Sequence, residues 1–220
     1  MKQDLKYSAA IFDLNGTLIW DTSYHNRAHD VFLERHGIHL TDEEKSLKVH
    51  GKPNEEVMRA IFRRELSDEE LKALIIEKEQ IYQSLIADEL RFAPGAEDLF
   101  ASLRERGIPF TIATSAGIEN IDFYFANMPM DRWFDRRKLI YNDGSFRGKP
   151  EPDIFVKAAE KLDIPPSKAV IFEDSVAGII AAERAGAGKV CIVDSNSDDY
   201  SRFSHEIITH FDQLDRRIFE

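Results

Sequence analysis

Short apolar runs that each end in polar residues constrain this chain more than any other feature. Ala9-Ala10-Ile11-Phe12 runs into Asp13, Thr111-Ile112-Ala113 into Thr114-Ser115, and Val170-Ile171-Phe172 into Glu173-Asp174. Runs of this length bounded by turn residues read as strands buried on both faces. The expected strands cover residues 7–13, 109–114, 138–141, 169–172 and 189–193, with a last short one at Ile207 and Ile208. Helical patterns fall between them, over residues 96–106, 118–127, 151–162 and 176–185. Strands alternating with helices imply an α/β fold built on a doubly wound parallel sheet. Such a sheet binds ligands outside the carboxyl ends of its strands. Asp13 alone reads as a strand-end residue that caps the next turn. As one member of a set at the same edge, it reads as a working carboxylate.

Residues 21–90 break the alternation. They are charged and helix-patterned, with few β-branched runs. Ala28, Val31, Phe32 and Arg35 recur at helical spacing and Gly37 stops that helix. Residues 54–66 give another helix with a basic face at Arg63 and Arg64. Ser67-Asp68-Glu69-Glu70 reads as an N-cap with an acidic first turn, opening a helix through Leu71, Leu74, Ile75, Lys78, Ile81, Tyr82 and Leu85. The expected organisation is a core domain of residues 1–20 and 91–220, interrupted by an all-helical insertion of residues 21–90.

With 220 residues the chain can bury a substantial core. Its net charge of −11 argues against a general partner for nucleic acid or an anionic membrane. A small anionic substrate remains compatible, because a metal ion and a few local cations reverse the sign inside a cleft. Cys191 is the only cysteine, so no internal disulfide and no cysteine-rich zinc site is available, which fits a reducing cytoplasm. No long apolar stretch follows Met1-Lys2-Gln3-Asp4-Leu5-Lys6, so neither a signal segment nor a membrane span is expected. A monomer is expected.

A parallel sheet brings Asp13, Thr114-Ser115, Glu173-Asp174 and the Gly148-Lys149-Pro150 loop to one edge. That set suits phosphoryl transfer. A carboxylate attacks phosphorus and splits one hard step into two through an aspartyl-phosphate. Several carboxylates at one point repel each other unless a cation holds them, and Mg²⁺ takes oxygen ligands while keeping some waters. Lys149 and Thr114 would neutralise and orient the phosphoryl oxygens.

These residues resemble the motifs of the haloacid dehalogenase superfamily, in the branch that includes β-phosphoglucomutase. Asp13-Leu14-Asn15-Gly16-Thr17 is similar to its first motif, Thr114 to the second, Lys149 in Gly148-Lys149-Pro150-Glu151-Pro152 to the third, and Glu173-Asp174 before Ser175-Val176-Ala177-Gly178 to the fourth. The resemblance covers nearly the whole chain, and the insertion matches the family's helical cap, which closes over the site and selects substrate. It implies Asp13 as nucleophile and Mg²⁺ ligand. The backbone carbonyl of Asn15 and the Asp174 carboxylate complete the protein's share of the coordination, and Glu173 acts nearby or through water. Thr114, the amide of Ser115 and Lys149 hold the phosphoryl group.

One position departs from the family. Its second Asp is a general acid and base, and here that position is Asn15, which has no titratable proton to give. General acid–base catalysis is worth about 10²–10⁴-fold, so a loss of that size is expected unless another group substitutes. His25, in an Asp21…His25…Ala28 pattern like that of the phosphoglucomutase-like members, is either a helper or an orienting residue. His50-Gly51-Lys52-Pro53 resembles the cap loop that reaches into the site, where Lys52 would meet an anionic group or else lie solvated at the surface.

Other segments read as structure alone. Gly186-Ala187-Gly188 is a helix-to-strand turn, with no helix directly after it to make a dinucleotide loop. Phe123, Phe125, Trp133 and Phe134 read as packing, and Arg136-Arg137-Lys138 as a solvated face. The functional expectation is a Mg²⁺-dependent phosphatase of a small phosphorylated metabolite such as a sugar phosphate. The alternatives are a β-phosphoglucomutase-like isomerase and, because of Asn15, a catalytically weak phosphometabolite-binding protein.

Overall fold

A computed structural model describes residues 6–49 and 52–220. The chain divides into two compact units, Met1–Trp20 with Arg91–Glu220, and Asp21–Leu90.

The first unit opens with β1, Ala9–Phe12, all four residues buried. The chain then leaves for the helical unit, which holds α1 (Thr22–Arg35), α2 (Asp42–Lys48), α3 (Asn54–Phe62) and α4 (Asp68–Ile86). α1 stops where Gly37 takes a φ of 63°. α3 ends earlier than its pattern suggests, because Arg63 enters the left-handed region at φ 52°. Ser67 caps α4 by accepting from the Glu70 amide, as its sequence signature implies. α2 is not among the helices expected from the apolar pattern, although Thr41 and Glu44 form a reciprocal capping box at its start.

Back in the first unit the order is α5 (Ala96–Glu105), β2 (Phe110–Ile112), α6 (Ile118–Asn127), α7 (Met130–Trp133), α8 (Asp153–Lys161), β3 (Ala169–Glu173), α9 (Val176–Arg184), β4 (Lys189–Val193) and β5 (Glu206–Ile208). Among the described residues the five strands form one parallel sheet in the order β2-β1-β3-β4-β5. The strand expected at residues 138–141 is reduced to a single bridge between Ala113 and Ile140. Residues Arg136–Lys138 coil into a 3₁₀ turn there instead, closed by the Asp135 side chain, so too little extended backbone remains for a ladder.

The alternation within each strand builds two cores. Ile11, Ile171 and Ile192 point to the side covered by Ile154, Phe155 and Ala158 of α8 and by Ile179 and Ala182 of α9. Their neighbours Phe12 and Phe172 point the other way and stack at 4.8 Å. Phe100 of α5 meets the Phe12 ring edge-on at 5.4 Å, and Phe211 approaches both phenylalanines. Each such ring pair adds about 0.5–1.5 kcal/mol beyond the burial of its area. With β1 paired on both edges and covered on both faces, its carboxyl end is the part open to chemistry.

Candidate active site

Register fixes what meets at that end. Phe12 pairs with Ile112 on one side and Phe172 on the other. One residue further on, Asp13 therefore stands level with Ala113 and Glu173. Its amide still donates to the Phe172 carbonyl at 2.9 Å, so the backbone under the Asp13 carboxylate belongs to the rigid ladder. The residue is buried, 5% exposed.

Lys149 reaches this edge from the loop before α8. Its ammonium donates to Asp13 Oδ1 at 2.5 Å and also to Glu173 Oε1. Burial alone would push an ammonium toward its neutral form, but the facing charges of Asp13 and Glu173 outweigh it and hold Lys149 protonated above its ordinary pKa. The second oxygen of Glu173 accepts from the Ser175 amide at 2.7 Å and from the Ser175 hydroxyl at 3.0 Å, at the start of α9. This explains Gly178, where a Cβ would lie 1.8 Å from Glu173 Oε1. Glu173 thus holds Lys149 and seats the helix start with the same carboxylate.

Asp174 is locked to the loop after β1. Thr17 Oγ1 donates to Asp174 Oδ1 at 2.8 Å. Gly16, at φ 83°, lets the carboxylate lie against the loop backbone, where a Cβ would stand 2.1 Å from Asp174 Oδ2. The Asp174 carboxyl is raised well above the usual range, first by burial and then by the charges of Glu173 and Asp13. Asp174 thus shares burial and charge with Glu173 and Asp13, and oxygen donors of this kind suit a hard divalent cation such as Mg²⁺.

Thr114 is buried, its amide held by the Ile140 carbonyl at 2.9 Å and its hydroxyl accepting from the Ala116 amide at 3.1 Å. Ser115 beside it is exposed. Asn15 donates through Nδ2 to the Tyr124 hydroxyl at 2.6 Å. Of the three aromatic neighbours Phe123, Tyr124 and Phe125, Tyr124, to which the sequence pattern assigns no role, is the one that is fully buried. The available signal was spacing, because Asn120, Ile121 and Tyr124 form the buried stripe of α6. Thr17 and Tyr200 were likewise given no role.

The structure thus gathers Asp13, Asn15, Thr114, Ser115, Lys149, Glu173 and Asp174 on one unit. His25 and Lys52 belong to the other. Lys52 is exposed and pairs with Glu56 at 2.8 Å. His50 and Gly51 lie outside the described residues. His25 is part of a network around α4. Its Nδ1 faces the Lys78 ammonium at 2.9 Å, its ring stacks on Tyr82 at 3.8 Å, and its Nε2 lies 3.6 Å from Asp21 Oδ2. Tyr82 donates to Asp21 at 2.5 Å, and Lys78 and Asn54 both donate to Glu79. Lys78 has no lone pair, so Nδ1 accepts and the Nε2 proton is turned to Asp21. Desolvation first, then the Lys78 charge, holds the His25 pKa well below its ordinary 6.5.

A doubly wound sheet with a charged carboxyl edge and an inserted helical unit defines the class of protein as α/β. The haloacid dehalogenase-like hydrolase model matches residues 7–186. In structure, the chain resembles an HAD hydrolase of family IA, variant 3, from Entamoeba histolytica, with a TM-score of 0.89 and 33% identity over 96% of this chain and 97% of that one. It also resembles a β-phosphoglucomutase from Clostridium difficile, with a TM-score of 0.76 and 25% identity over 94% and 93% of the two chains. In sequence, it is 26% identical over 186 residues to the phosphorylated carbohydrates phosphatase of Thermotoga maritima, covering 83% of each. The chain belongs to the haloacid dehalogenase-like hydrolases.

Proposed function

We propose that the chain is a Mg²⁺-dependent phosphatase of a small phosphorylated metabolite, a sugar phosphate, working through an aspartyl-phosphate on Asp13. The observation that carries this reading is the Lys149 ammonium between Asp13 and Glu173. It holds the Asp13 carboxylate by a direct ion pair, at a point where a second anion, the phosphoryl group, can share the same cation. Names among the relatives support the substrate class, since one acts on phosphorylated carbohydrates and another is a β-phosphoglucomutase.

In the first step an Asp13 oxygen bonds to phosphorus while the bond to the leaving oxygen breaks and its electron pair stays with that oxygen. In the second, water attacks the phosphorus of the aspartyl-phosphate and the Asp13 carboxylate departs, releasing inorganic phosphate. Thr114, the Ser115 amide and Lys149 hold the phosphoryl oxygens. Asp13, Asp174 and the Asn15 carbonyl would hold Mg²⁺, which supplies charge neutralisation between the carboxylates and the phosphoryl group. Glu173, whose oxygens are engaged by Lys149 and Ser175, positions Lys149.

Asn15 favours a second reading, a weakly catalytic binder of phosphorylated metabolites. Its amide orients a neighbouring oxygen but neither gives nor takes a proton. Phosphate release from a sugar phosphate panel with Mg²⁺, compared with Asn15→Asp, separates the two. Release by the unsubstituted chain, abolished in Asp13→Ala, is the expected result. Release only after Asn15→Asp, with a gain of about 10²–10⁴-fold, assigns the unsubstituted chain to binding.

A further inference from the structure

We infer that Tyr200, on the loop between β4 and β5, is a positioning residue for Asp174. The inference rests on the metal-dependent reading above, because that reading gives the Asp174 carboxylate its task. The Tyr200 hydroxyl donates to the main-chain carbonyl of Asp174 at 2.7 Å in a buried contact. The ring, 3% exposed, is built into the core that includes Phe155, Ile179 and Ile192.

The sheet leaves this carbonyl to the phenol. The last registered pair between β3 and β4 is Glu173 with Ile192. Beyond it, the amide of Asp194 turns outward to the Ile208 carbonyl of β5. A buried carbonyl that loses its donor is expensive to keep in place, so its peptide shifts when the donor is removed. The same residue is held at its other end by Thr17 on Oδ1 and by the close approach of Gly16. Tyr200 therefore fixes the backbone from which the Asp174 carboxylate springs, while the loop after β1 fixes the carboxylate.

The loop carrying the phenol is closed by its own turns. Ser197 donates to Asp194 Oδ1 at 2.7 Å, Ser201 to Asp199 Oδ1 at 2.9 Å, and the Phe203 amide to the Tyr200 carbonyl at 2.9 Å. A hydroxyl on such a support acts on the site without touching substrate. Outer groups that orient a ligating carboxylate are worth about 10–100-fold in metal affinity.

The test is calorimetric titration of Mg²⁺ into the full chain without substrate, for the unsubstituted protein, Tyr200→Phe and Asp199→Ala. Tyr200→Phe removes one oxygen and leaves the packed ring in place. It is expected to bind Mg²⁺ about 10-fold more weakly or worse. In turnover, the Mg²⁺ concentration for half-maximal rate rises by the same factor while kcat at saturating Mg²⁺ is retained. Asp199→Ala loosens the same loop but keeps the phenol, and its Mg²⁺ affinity is expected to match the unsubstituted chain. Equal affinity in Tyr200→Phe overturns the inference and leaves the phosphatase reading standing. Equal weakening in both variants assigns the phenol to loop stability alone and overturns it as well. An unsubstituted chain that binds no Mg²⁺ overturns the inference together with the metal-dependent reading.

Discussion

Lys149 shows how much one side chain decides. It is nearly buried, and so are the carboxylates of Asp13 and Glu173 that it joins. Removing one partner of a buried charge cluster leaves the others uncompensated, at a cost of about 3–5 kcal/mol. Lys149→Met is therefore expected to lose stability on that scale, seen in urea unfolding, together with phosphatase turnover. Wild-type stability in that variant would show that Asp13 and Glu173 have another cation. The chemistry of these positions was legible in the sequence because strand register allows few choices at a carboxyl edge. The partners Tyr124 and Tyr200 were not. Tyr124 lies in the apolar stripe of α6 and looks like any other core ring until its hydroxyl is placed, while Tyr200 sits in a polar loop whose pattern gives no sign that its ring is buried.

Elements were legible wherever a pattern was long or capped. α4, with its Ser67 cap, and the buried strands followed from periodicity. α2 was missed because a seven-residue helix with no buried residue has no apolar stripe to read. The strand at residues 138–141 failed for a local reason, since the Asp135 side chain turns the chain just before it. Within the helical unit, the network on α1 and α4 has a pH signature. A His25 pKa held below 6.5 means that the folded unit prefers neutral imidazole. Below about pH 6.5 the unfolded chain takes up a proton that the folded one resists. This contribution to stability is thus complete above that pH and fades as pH falls toward the depressed value. Unfolding free energies measured by urea from pH 8 to pH 5.5 are expected to decline more steeply in the unsubstituted chain than in His25→Gln. Parallel profiles would remove His25 as the cause.

For the whole molecule, the α/β class and the helical insertion were legible because they depend on the order of patterns along the chain, which no side-chain detail alters. A chain whose site crowds Asp13, Glu173 and Asp174 together is expected to gain from a divalent cation. Binding to the folded state alone adds about 2.7 kcal/mol at a hundred times the dissociation constant. In a chain of this size that corresponds to a melting temperature raised by about 5–10 °C with Mg²⁺ and lowered again by a chelator. A melting curve indifferent to both would argue against the proposed ligand set. The interior place of β1 also bears on how the protein is made. Of the five described strands β1 leaves the ribosome before the other four, yet its neighbours on either side, β2 and β3, begin only at Phe110 and Ala169. The nucleophile's strand spends much of synthesis as an unpaired apolar segment, while the helical unit between it and its partners has already emerged. Until Ala169–Glu173 is released, Asp13 has neither its second ladder nor Glu173. A nascent chain stalled before that point would expose Ala9–Phe12 to chaperones and hold no assembled site.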